Sequence, residues 1–148
     1  MRIPNGAEFV NPTNHFSSLF VFHRLSKTIH DDDTLMYFDP GHVGCCLKLA
    51  GATACKLYFH PSLANGGLYN YKESPGFFKE WVQQLINDWD FENICTAHHG
   101  TLIGNGKKAL QQTLKRYESK FRRMSRVQSV QVGHSMHSTS TKSRGKNL

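Results

Sequence analysis

Apolar residues fall into short blocks in the first half of the chain and into helical stripes in the second. Leu19-Phe20-Val21-Phe22 is an aromatic and β-branched run of the kind that forms a buried strand. Arg24-Leu25-Ser26-Lys27 reads as a turn, Thr28-Ile29-His30 as a second strand, and Asp31-Asp32-Asp33 as its end. These pieces predict a hairpin with a carboxylate cluster at its exit. Ahead of it, Glu8-Phe9-Val10 reads as a short strand before Pro12. After it, residues 34–38 either continue the strand or open a loop, and Asp39-Pro40-Gly41 breaks the run. Residues 43–54 are small and apolar, ambiguous between a short helix and a loop. Leu57-Tyr58-Phe59 is a further strand, ended by His60-Pro61, and Asn65-Gly66-Gly67 is loop.

The helical period starts at Ser74-Pro75, with Ser as N-cap and Pro at the first helical position. Phe77, Phe78, Trp81, Val82, Leu85 and Ile86 then recur at helical spacing, which predicts an amphipathic helix over 75–87 with its aromatic stripe in the core. Asp88-Trp89-Asp90 ends it. Residues 91–97 read as a buried strand that runs into a turn carrying His98, His99 and Gly100. Leu110, Leu114, Tyr117, Phe121 and Met124 predict a long helix over 104–125 with a basic back. Beyond 127 the Ser, Thr, Gly and Lys content lacks periodicity and predicts a disordered tail. The division is therefore a domain over 1–126 and a basic tail over 127–148, with no internal repeat.

Length and composition fit one domain: 148 residues, 39% apolar, enough to bury a core. No apolar run reaches the length of a membrane span, and Met1 to Gly6 carries no signal-like apolar region, so a cytoplasmic location is expected. Cys45, Cys46, Cys55 and Cys95 match neither a zinc knuckle nor a redox pair, and reduced thiols are expected. The net charge of +7 is unevenly placed. Residues 1–106 hold seven Lys/Arg against ten Asp/Glu, and residues 107–148 hold eleven against Glu118 alone. Basicity thus belongs to the last helix and tail and says little about the body. Lys115, Arg116, Lys120, Arg122, Arg123 and Arg126 read as a solvated helix face, and contact with nucleic acid or an acidic membrane through the tail is not expected.

The candidate chemistry lies at strand ends. His15 precedes the first hairpin strand, Asp33 follows the second, and His98 follows the later strand, so all three can project from one sheet edge. A His/Asp/His set suits Zn²⁺, which takes imidazole nitrogen and carboxylate oxygen. His98 is favoured by strand length and His99 by direct contact with Gly100. His23 and His30 read as ordinary strand residues. His42 and His60 fall in loops, where Asp39 joins them as a second group that can line a pocket. Cys95 reads as a small buried residue, and His134 and His137 belong to the tail.

The order of these pieces resembles the C-terminal half of the metallo-β-lactamase fold. Residues 14–22 resemble the histidine-bearing entry to a strand. The run Phe22-His23-Arg24-Leu25-Ser26-Lys27-Thr28-Ile29-His30-Asp31-Asp32-Asp33 resembles the stretch leading to the family's bridging aspartate, and places Asp33 there, with Asp32 and Asp39 as substitutes. Asp90 to Gly100 resembles the family's last strand and histidine turn, and a terminal helix follows. The likeness covers residues 8–120. It implies an α/β fold, half of an αββα sandwich, with a mixed sheet and two main helices. It also implies a hydrolase that activates water on two zinc ions, with His15 and His98 on different metals and Asp33 between them. The chain carries no H-x-H-x-D-H motif, which in the family supplies most of the donors. The Zn²⁺ site implied is therefore incomplete, and the protein is expected to be inactive or truncated. The alternative is a non-catalytic binding or scaffold protein with a basic C-terminal helix and tail. Half a sandwich leaves one sheet face bare, so exposed apolar surface is expected there, covered by self-association or another chain.

Overall fold

The computed structural model describes residues 1–6, 18–39, 43, 53–64, 67–68 and 72–140; for residue 98 and residues 128–140 it describes the backbone alone. A mixed five-stranded sheet carries two helices. β1 (Phe20–His23) and β2 (Thr28–Tyr37) form an antiparallel hairpin. β3 (Leu57–Phe59) pairs antiparallel with the far end of β2. After a single 3-10 turn (Pro61–Ala64), α1 (Ser74–Asp88) crosses over to β4 (Asn93–His98), which runs parallel to β2. A tight turn leads to β5 (Thr101–Leu102), antiparallel to β4, and α2 (Gly106–Ser140) closes the described chain. This is an α/β fold with a mixed sheet and two helices.

Strand alternation fixes which face is covered. Phe20, Ile29, Leu35, Leu57, Phe59 and Ile94 are buried on one face. Both helices pack there. α1 contributes Phe78, Trp81, Val82, Leu85 and Ile86, and α2 contributes Leu110, Leu114 and Phe121 to the same cluster. Phe59 is the central ring, with centroids 5.5 Å from Phe78 and 5.8 Å from Phe121. The opposite face carries the row Val21, His30, Cys95 and Thr101 across β1, β2, β4 and β5. Val21, His30 and Thr101 are exposed. Among the described residues this row is mixed, with Val21 and Cys95 beside His30 and Thr101.

Local differences from expectation have local causes. Ser74 is not the N-cap of α1. Glu73 holds that place without a side-chain cap bond, while Ser74 is buried inside the first turn. Trp89 ends the helix by turning to extended backbone, its N–H donating to the Leu85 carbonyl at 3.0 Å. The start of α2 is tied to the sheet. Gly106 N–H donates to the Glu92 carbonyl at 2.7 Å, and a Cβ at Gly106 would lie 2.7 Å from that oxygen, so only glycine fits. The helix then continues to Ser140, past the expected end at 125 and through the first part of the segment read as tail. No proline interrupts it.

Candidate functional site

β2 and β4 run parallel, so their C-terminal ends meet at one edge, the place where parallel α/β sheets commonly present ligand-binding groups. The two strands stay in register from Thr28↔Asn93 to Asp31↔Thr96, then resume at Met36↔His98. Five steps along β2 therefore match two along β4. Asp32 and Asp33 lie in this bulge, directly after the Asp31↔Thr96 pair, and the acidic triplet does not end the strand. β2 continues to Tyr37, and the residues leaving it are Phe38 and Asp39.

The bulge brings Asp39 to the histidine turn. A Cβ built on Gly100 would lie 2.5 Å from Asp39 Oδ2 and 2.8 Å from its Cγ. The Asp39 carboxylate thus sits directly on the bare Cα of Gly100. His99 adopts φ 81°, a left-handed conformation that L residues other than Asn, Asp and His rarely take. Its exposed ring packs on Phe38 with centroids 4.6 Å apart. Thr96 Oγ1 donates to the Gly100 carbonyl at 2.8 Å and closes the turn from below. Next to β2, Tyr58 pairs with Met36, which pairs in turn with His98, so these three form one row across β3, β2 and β4. Burial alone would raise the Tyr58 phenol. Hydrogen bonds with Thr53 and the nearby Lys56 and Arg116 charges outweigh it and lower the pKa below the ordinary tyrosine value. Tyr37 is shifted the other way by burial, by Cys55 and by Asp39.

Beneath the bulge lies a buried polar group. Ser18 and Thr34 hydroxyls are 2.8 Å apart, and Asp31 Oδ2 accepts the Leu35 N–H at 2.8 Å. Asp31 is 5% exposed, and its Oδ1 has no hydrogen-bond partner. Burial pushes this carboxyl well above the usual range, with the Asp32 charge adding to it. Hydrogen bonds from the Leu35 N–H and from Thr34 pull the other way without prevailing. Asp31 is also the register neighbour of Thr96, the residue that closes the histidine turn.

The expected donors fall as follows. His15 lies outside the described residues, as does His42. Asp33 is partly exposed in the bulge, three residues before the Met36↔His98 pair. His98 ends β4 at the strand edge, and His99 stands in the turn against Phe38. Asp39, ranked behind Asp33 from the sequence, is the acid that meets this turn. Among the described residues, no three His, Cys, Asp or Glu side chains gather as a metal-holding group. Zinc requires four donors, or three and a water. Asp39 and His99 stand at the same turn as donor types that zinc accepts, but they fall short of that set, so no metal-dependent step follows from these residues. Asp31 and Tyr58 were not singled out from the sequence. Asp31 was hidden in an acidic run that looks solvated, and Tyr58 in a three-residue strand. No helix among the described residues is long and apolar enough to cross a membrane. No family model matches the chain, and neither a curated protein nor a solved structure matches it.

Proposed function

We propose that the chain is a metallo-β-lactamase-like half domain, hydrolase-like in form, whose strand-end turn offers an incomplete zinc site and which does not hydrolyse substrate by itself. The observation that carries this reading is the Asp39 carboxylate seated on Gly100 beside His98 and His99, at the shared C-terminal edge of β2 and β4. A carboxylate and an imidazole at such an edge are donor types that Zn²⁺ accepts. His15 belongs to the reading as a third donor. Asp39 is preferred to Asp33 as the acid because its carboxylate is the one seated on Gly100. The sequence carries no H-x-H-x-D-H run, so zinc held here lacks the donors that would complete its coordination and let it activate a water. A cytoplasmic setting accords with the free thiols of Cys55 and Cys95. The sheet face opposite the helices would accept a second layer, from another copy or another chain.

The test is zinc retention after loading and dialysis, measured by metal analysis with a competing chromophoric chelator. Wild type is expected to hold zinc weakly. Asp39→Ala and one of His98→Ala or His99→Ala should reduce affinity about tenfold or more, since even outer partners of a metal site typically cost 10–100-fold. Unchanged retention in all three variants sinks the reading. A loss confined to Asp33→Ala restores Asp33 to the site.

The competing reading, a non-catalytic scaffold or binding protein, draws on the same face and on the basic side of α2. Zinc-independent behaviour of every variant above would favour it.

A further inference from the structure

The charge of α2 is arranged on one surface. Lys115, Ser119, Arg122, Arg123 and Arg126 line a single open depression of about 510 Å³, and all five are exposed. Glu118, at its edge, is the only acid in the described part of the helix. It is already engaged, 2.8 Å from Lys79 and 3.1 Å from Arg122. Those two cations lower its pKa. The depression therefore keeps a cationic excess.

An ordinary solvated helix interleaves acids with bases, because unlike charges four residues apart stabilise it and like charges destabilise it. Here Lys115, Arg122, Arg123 and Arg126 share one depression with Glu118 as the single acid between them. A polyanion would stabilise such an excess of like charge. The apolar stripe of this part of α2 is not available to such a partner: Leu110, Leu114 and Phe121 are spent on the core, so over residues 106–126 the helix offers no second apolar face of the kind an amphipathic membrane helix needs. Among the described residues, those lining the depression include none of the aromatic anchors typical of a protein interface. Its chemistry favours a partner read by charge.

We propose that this face of α2 binds the phosphate backbone of a nucleic acid, without sequence preference. At about 1.5 Å rise per residue, Lys115 to Arg126 spans about 16 Å, and a duplex offers one charge per about 1.7 Å of axis over that length. The contact belongs to the helix and not to the tail, and it needs neither zinc nor the strand-end turn.

The experiment uses the full chain, a fluorescein-labelled 20-base-pair DNA duplex of mixed sequence, and anisotropy in EDTA at 50–200 mM salt. Binding is expected to weaken with salt on a log–log slope of about −0.9 per phosphate contact, about −3 to −4 for four cations. Lys115→Gln/Arg123→Gln should weaken binding at least tenfold at 50 mM salt and flatten the slope by about 1.8. The charge-matched variant Lys142→Gln/Arg144→Gln should leave both nearly unchanged. Circular dichroism confirms that each variant is folded. Equal losses in the two double variants overturn the proposal, because net charge or the tail would then explain the binding. No binding at 50 mM salt also overturns it, as does stronger binding to phosphatidylserine vesicles or to polyglutamate than to the duplex.

Discussion

Replacing Asp31 by Asn tests the buried polar group most sharply. The carboxyl is 5% exposed, with one oxygen on the Leu35 N–H and the other without a partner. Burial raises its pKa in the folded chain, whereas the unfolded chain has the ordinary value of about 3.9. The sign follows from proton counting. Below about pH 4 both states hold the proton and the group carries no linkage penalty. As pH rises, the unfolded chain releases its proton first, so stability falls until pH passes the raised folded pKa, then levels off. Each pH unit within that window removes up to about 1.4 kcal/mol. Asn cannot ionise and keeps an acceptor for Leu35. Urea unfolding followed by circular dichroism, every half unit from pH 4 to 8, gives the stability difference between variant and wild type. Subtraction cancels the exposed pairs around Lys27 and Glu118. The difference should shift toward the variant by more than about 1 kcal/mol across that range. A flat difference would refute the raised pKa. Asp31→Ala, which leaves the Leu35 N–H unsatisfied, should cost about 1–3 kcal/mol at pH 4.

Other expectations follow from single contacts. Gly100→Ala drives a methyl into the Asp39 carboxylate, which must swing away; zinc retention should fall while thermal unfolding shows a loss of only about 1 kcal/mol. Thr96→Val removes the hydroxyl that holds the Gly100 carbonyl, and should cost about 1 kcal/mol in chemical denaturation. His99→Gly relieves the φ 81° backbone; it should unfold at equal or higher denaturant while any zinc contribution from the ring disappears, and a clear destabilisation would contradict the strain. Phe78→Ala empties a fully buried ring position between Phe59 and Phe121, and a cost of about 3–5 kcal/mol by calorimetry is expected.

The hairpin, the crossover helix and the strand before the histidine turn were legible because their apolar residues keep strict period. The course of β2 was harder to read. Three consecutive aspartates look like a strand end, since Asp is poor in strands, but here Asp31 still pairs with Thr96, a bulge takes Asp32 and Asp33 out of the parallel ladder, and the chain resumes pairing at Met36. That slip moves the strand's exit from Asp33 to Asp39. The sequence held a hint, because Thr34 to Tyr37 leads straight to Asp39-Pro40-Gly41, where an unbroken strand must stop. β5 was too short for any period. The continuation of α2 was hidden because the apolar period that marks a helix in the sequence ends at Met124. The left-handed φ of His99 cannot be read from residue types, although Gly100 marks the turn. The close seat of Asp39 on Gly100 is a tertiary contact 61 residues apart in number, beyond local patterning.

X-ray absorption of the zinc-loaded protein tests the strand-end site most directly. The expected spectrum shows a shell of nitrogen and oxygen donors at about 2.0–2.1 Å, with an imidazole signature that is lost in whichever histidine variant supplies it, and a smaller shell in Asp39→Ala. A sulfur shell near about 2.3 Å, drawn from Cys55 or Cys95, would contradict it. So would a zinc environment identical in wild type and Asp39→Ala.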